Sequence, residues 1–164
     1  LLPIVFVFAQ PISPDNTQQA KSLILSEREL ARTNPNLTPA QRALVLMRYG
    51  CYGEAAEWLK AAPSERLSQL AQTEWYYRHN RWQEAEALIA QLLLESPQDR
   101  EGLIWRTKLA IQAWQLPQAV QWANRLAEQD EWRWILLGRI ALLQKQYGKA
   151  HEHAQKAQSL NNAN

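Results

Sequence analysis

Residues 134–157 read WILLGRIALLQKQYGKAHEHAQKA, and this stretch decides how the chain folds. Trp134, Leu137, Gly138 and Ala141 belong to one helix, while Ala150, Ala154 and Ala157 belong to a second, with Tyr147 at the position that precedes it. Small side chains at these places let two helices approach closely. A hairpin built this way keeps an apolar face that it can bury only against a neighbouring hairpin.

The chain supplies such neighbours. Working back from KQYGKA, which ends at Ala150, related blocks end at Ala119 (WQLPQA), Ala85 (NRWQEA) and Ala55 (GCYGEA), with spacings of 31, 34 and 30. Three residues before each Ala stands an aromatic or Leu: Tyr147, Leu116, Trp82 and Tyr52. The spacing predicts helix hairpins at about 38–63, 65–97, 100–129 and 131–160, preceded by a lone capping helix at 15–33. Asp15 and Asn16 are candidate N-caps for that helix, and Asn34-Pro35 stops it. Thr38 caps the next helix, with Pro39 in its first turn.

The pattern resembles the tetratricopeptide repeat family, whose unit of about 34 residues carries W-x2-L-G-x2-Y, then a small residue, an aromatic, another small residue and Pro. The last unit fits best, with Trp134, Leu137, Gly138, Ala141, Ala150, Ala154 and Ala157. The second supplies Tyr76, Ala85, Ile89 and Pro97, and the third Leu103, Ala110, Ala119, Ala123 and Leu126. The first, with Ala43, Leu46, Ala55, Leu59 and Ala62, is the most degenerate and is cut short by Pro63. The resemblance implies an all-α, right-handed α-solenoid of about four such hairpins with a leading capping helix, over a repeat domain at 15–164. Its members are scaffolds of very different roles, so architecture is specified more sharply than function.

Composition agrees with a folded helical chain. Of 164 residues, 46% are hydrophobic and 21% charged, and only five are glycine. The net charge of +2 comes from 18 basic and 16 acidic side chains, interspersed without a basic block, so no nucleic-acid partner is expected. The single cysteine, Cys51, excludes an internal disulfide and any CxxC motif.

Residues 1–14 form a separate segment. Leu1 to Ala9 (LLPIVFVFA) is an unbroken apolar run followed by the polar, Pro-bearing Gln10 to Asn16. It is similar to the end of a secretory signal peptide and far short of the roughly 20 residues that span a bilayer. Two readings stand beside each other. The segment is a signal or membrane-associating element, placing the protein in the periplasm, outside the cell or at a membrane through Leu1 to Pro11; or it is a structural strap, and the protein is cytoplasmic.

No catalytic constellation is present: the sequence has no GxSxG elbow, P-loop, HExxH or dinucleotide glycine fingerprint. His151 and His153 are two apart and point to different sides of a helix, whereas helical zinc pairs stand four apart, so neither metal nor cofactor is expected. Cys51 and His79 read as ordinary turn residues without an orienting carboxylate.

The eight tryptophans are the compositional anomaly. Trp82 and Trp134 fall at signature core positions and Trp58 and Trp122 share a second-helix position, so these four read as packing. Trp75, Trp105, Trp114 and Trp132 lie off that register and are candidates for interface anchors, Trp132 first. The family resemblance implies which first-helix positions face the concave groove. Here they are Leu44, Met47 and Arg48; Leu70, Glu74, Tyr77 and Arg78; Ile104, Lys108, Ile111 and Gln112; and Trp132, Ile135, Arg139 and Leu142. The chosen binding residues are Met47, Arg48, Tyr77, Arg78, Lys108, Gln112, Trp132 and Arg139. Arg48, Arg78, Lys108 and Arg139 would form a basic ladder for the carboxylates of an extended peptide. The family's chaperone-tail clamp is disfavoured, because Leu44, Glu74, Lys108 and Arg139 stand where its Asn residues would be.

The functional expectation is a non-catalytic scaffold that binds a protein or peptide and helps assemble a membrane-associated or exported complex. The alternatives are an accessory subunit held in a membrane complex by its apolar segment, and an accessory domain of a larger enzyme. The sequence names no oligomeric state.

Overall fold

A computed structural model describes residues 27–162, and every element among them is helical. The described helices are α1 (27–33), α2 (Pro39–Arg48), α3 (Tyr52–Lys60), α4 (Arg66–Arg78), α5 (Trp82–Glu95), α6 (Arg100–Gln112), α7 (Leu116–Ala123), α8 (Glu131–Leu143) and α9 (Tyr147–Asn161). The expected apolar segment and the caps at Asp15 and Asn16 lie outside the described residues. The chain divides into two compact units, residues 1–61 and 62–164.

Within every hairpin the turn is the same. The first residue of each repeated block takes a left-handed backbone: Gly50 (φ 74°), Asn80 (φ 58°), Trp114 (φ 60°) and Lys145 (φ 58°). The next N–H reaches back five residues to close the first helix: Cys51 to Leu46 O at 2.9 Å, Arg81 to Tyr76 O at 2.9 Å, Gln115 to Ala110 O at 2.8 Å and Gln146 to Ala141 O at 2.8 Å. This is the Schellman closure, which satisfies carbonyls that a helix end leaves open. The block period of the sequence is therefore a period of backbone geometry.

Each hairpin closes through two small residues. On the second helices Ala55, Ala85, Ala119 and Ala150 are 0 to 6% exposed. The first helices carry a corresponding series of small residues, Ala43, Thr73, Thr107 and Gly138, all buried. The two threonines return their hydroxyls to the carbonyls of Gln69 and Leu103, both at 2.8 Å, so neither buried hydroxyl is left open. A Cβ on Gly138 would lie 3.5 Å from His153 Cβ and 3.7 Å from the Ala150 carbonyl, which is how near α9 passes.

In unit 1, Thr38 caps α2 with a reciprocal Gln41 contact and Pro39 begins the helix, as expected. Arg42 ties α1 to α2: its buried guanidinium donates to the carbonyls of Ala31 (2.8 Å), Arg32 (2.7 Å), Leu37 (3.2 Å) and Asn34, and stacks 4.7 Å over Trp58. The open carbonyls at the end of α1 thus find a cation, the charge that a helix C-terminus favours.

Unit 2 stacks three hairpins, α4/α5, α6/α7 and α8/α9, with α5 against α6, α7 against α8, and α4, α6 and α8 side by side. One apolar cluster joins Leu70, Ala85, Ile89 and Leu92 to Leu109; a second joins Leu103, Ile104 and Ile111 to Leu116, Leu126, Leu136 and Ile140; Leu93 packs against both. Burial is thus continuous between neighbouring hairpins.

The loops between these hairpins carry a repeated ion pair. Arg66 opens α4 and binds Asp99, the N-cap of α6; Arg100 opens α6 and binds Asp130, the N-cap of α8 (2.5 and 2.9 Å). Each aspartate also accepts from its own helix, from Gly102 N–H at 2.8 Å and Trp132 N–H at 3.0 Å. Burial opposes the charge on Asp99, but Arg66 and the backbone N–H groups of Gly102 and Glu101 outweigh it, holding the carboxyl below its ordinary range.

Candidate functional site

The face of unit 2 lined by α4, α6 and α8 gathers six of the eight expected binding residues. Lys108 is at its centre. Its Nζ lies 4.4 Å from the ring centroid of Trp105, one helical turn back, and 4.7 Å from that of Trp132 on the next hairpin. Tyr77 extends the aromatic floor, its ring meeting Trp105 edge-on at 5.4 Å, and its hydroxyl lies 3.5 Å from Gln112 Oε1.

The electrostatics are uneven. Arg78 is paired with Glu74, Nη2 to Oε1 at 2.7 Å. Lys108 and Arg139 take part in no ion pair among the described residues, although Arg139 is exposed. Burial lowers the pKa of Lys108 below the ordinary lysine value; Glu74 raises it again, while Arg139 and Arg78 push it further down. Three cations near one another with one carboxylate leave this face short of negative charge.

One expectation about a single residue is corrected. Met47 is 1% exposed and belongs to the core of unit 1, so it cannot line a groove; Arg48, the last residue of α2, is exposed, and belongs to unit 1. Among the wider set of groove positions, Leu70, Ile104 and Ile111 are likewise buried, because helices α5, α7 and α8 cover them, whereas Ile135 and Leu142 are exposed at 42% and 55%. The sequence marks Trp105 as a candidate interface anchor but not as one of the groove residues. The signal was its spacing of three from Lys108, which on a helix brings an indole against an ammonium.

The other tryptophans divide differently from expectation. Trp82, read as core, is 39% exposed. Trp122 is half-buried between the guanidinium groups of Arg106 (5.5 Å) and Arg125 (4.7 Å). Trp134 donates its indole N–H to the Glu128 carbonyl at 2.8 Å and faces His153 at 5.5 Å. Trp75 stacks on His79 at 4.0 Å. No group of three or more His, Cys, Asp or Glu side chains is placed to hold a metal among the described residues.

A solved structure described as a MamA RS-1 ArsTM double mutant aligns with 90% of this chain and 88% of that chain, at a TM-score of 0.58 and 16% sequence identity. MamA is a tetratricopeptide-like protein, and this likeness establishes the helical-repeat fold and nothing finer. No protein-family model matches the sequence, and no curated protein does.

Proposed function

We propose that this chain is a non-catalytic scaffold that binds an extended, acidic segment of a protein partner along the α4, α6 and α8 face. The observation that carries the reading is Lys108, a half-buried ammonium held between two indoles and in no ion pair among the described residues. A fold keeps such a cation most easily when something anionic completes it. Arg139 offers a second exposed cation, and Ile135, Leu142 and Trp132 offer contact area beside it.

The test is a peptide array, followed by titration of its best binders against the full chain. Acidic peptides are expected to bind in preference to neutral ones of equal hydrophobicity. Lys108→Gln with Arg139→Glu should weaken them about tenfold, equivalent to about 1.4 kcal/mol. Equal binding of neutral peptides, or indifference to both substitutions, removes the reading.

Assembly of a membrane-associated or exported complex is the second part of the proposal, resting on the apolar run Leu1 to Ala9. Among the described residues, no helix is long and apolar enough to cross a membrane. Removing residues 1–11 should abolish complex association in cell fractions while leaving peptide binding intact. Unchanged association would sink that part alone.

A further inference from the structure

The two edges of unit 2 differ in chemistry. Because each hairpin is antiparallel and the first helices lie side by side, the turns within hairpins (78–84, 112–118, 144–149) share one edge and the loops between hairpins share the other. Residues 63–66, 95–101 and 124–131 on the loop edge carry seven carboxylates against three arginines. The turn edge carries Arg78, Arg81, Lys145 and Lys149 against the single carboxylate Glu84, which Arg81 already engages at 2.7 Å. Lys145 and Lys149 form no ion pair among the described residues.

The turn edge is also where large aromatic side chains meet solvent: Trp114 is 65% exposed, Tyr147 67% and Trp82 39%. Trp114 is the telling one. It occupies the left-handed turn position that the other hairpins fill with Gly50, Asn80 and Lys145. A bulky residue is out of place there. Its side chain is not buried, so neither the turn nor the core accounts for it. Residual strain at an exposed aromatic points to a use outside the fold.

We propose that the turn edge of unit 2 docks on an anionic bilayer surface, with Trp114, Tyr147 and Trp82 at the headgroup level and Lys145 and Lys149 drawing in acidic lipid. Aromatic rings with an apolar body and a polar rim, interleaved with lysine, are the chemistry of the membrane interface. The turn edge favours a surface over a nucleic-acid strand, because single strands are held in grooves whereas these aromatic side chains stand exposed at or beside turns. The residues it rests on, Trp114, Tyr147, Trp82, Lys145 and Lys149, are none of them among the peptide-binding residues, so this proposal stands independently of peptide capture.

The experiment is co-sedimentation of the full chain with vesicles of three parts phosphatidylcholine to one part phosphatidylserine, and with pure phosphatidylcholine. Binding to the acidic vesicles is expected to exceed binding to the neutral ones and to fall as salt rises. Lys145→Gln with Lys149→Gln, both exposed and harmless to folding, should lower the partition about 30-fold. Trp114→Ala should lower it about tenfold. Residues 1–9 could hold vesicles by themselves, so binding that survives all three substitutions overturns the proposal. Absence of binding, or equal binding to neutral vesicles, overturns it too. The same holds if these substitutions abolish binding of an oligothymidine strand while leaving vesicle binding unchanged.

Discussion

The loop edge and the turn edge of unit 2 are built on one period and use it in opposite ways. At the loop edge the period brings an arginine that opens one helix to the aspartate that caps the next but one, so that Asp99 and Asp130 each serve a cap and an ion pair at once. At the turn edge the period repeats a backbone shape, while the side chains on it vary from Asn80 to Trp114 and Lys145. The difference teaches that register can be satisfied by geometry alone. Side chains that geometry does not require are then open to other work.

Breaking the loop edge should have the largest effect. Asp99→Ala removes the cap of α6 and leaves Arg66 without its main partner, with an expected loss of about 2 kcal/mol in urea unfolding. A loss below a few tenths would mean that the pairing is ornamental. Relieving the turn edge should act the other way: Trp114→Gly is expected to stabilise by about 0.5 to 1 kcal/mol, because glycine accepts the left-handed backbone without the Cβ clash. Destabilisation instead would show that Trp114 packs in solution.

The edges should also differ in their response to acid. The carboxyl of Asp99 is held below its ordinary value of 3.8, so its contribution is present above that pH and is lost as pH falls through the folded value. Between pH 5 and acid, the wild-type chain should therefore lose more stability than Asp99→Asn, which has no proton to take up there. Parallel losses would contradict this assignment. The smallest effect is expected for Lys145→Ala, at most about 0.5 kcal/mol in the same urea assay, since this side chain is exposed and makes no ion pair among the described residues.

Much of the fold was legible along the chain. The blocks ending at Ala55, Ala85, Ala119 and Ala150 located the turns, and Thr38-Pro39 and Asn34-Pro35 located helix ends, because each depends on a few adjacent residues. The partner series on the first helices, Ala43, Thr73, Thr107 and Gly138, was harder to see. Its members share size and not identity, and only the closeness of the facing helix makes size the relevant property. Arg66 with Asp99 and Arg100 with Asp130 were hidden for a related reason: the partners stand 33 and 30 residues apart and meet only when hairpins stack.

The candidate site shows the same division. The family resemblance assigned Tyr77, Arg78, Lys108, Gln112, Trp132 and Arg139 to one series of first-helix positions, and the fold places them on one face of unit 2. It could not separate Met47 and Ile111, which are buried, from Leu142, which is not, because all three sit on the same side of comparable helices. What covers a position depends on the neighbouring hairpin.

Helix, turn and repeat were therefore decided by the chain itself, through local apolar spacing, small residues and caps. Which tryptophan is buried, which cation lacks a partner and which edge is charged were decided only in the tertiary structure. The physical reason is that burial and ion pairing are properties of neighbours distant in sequence, and a period places residues in register without saying what stands opposite them.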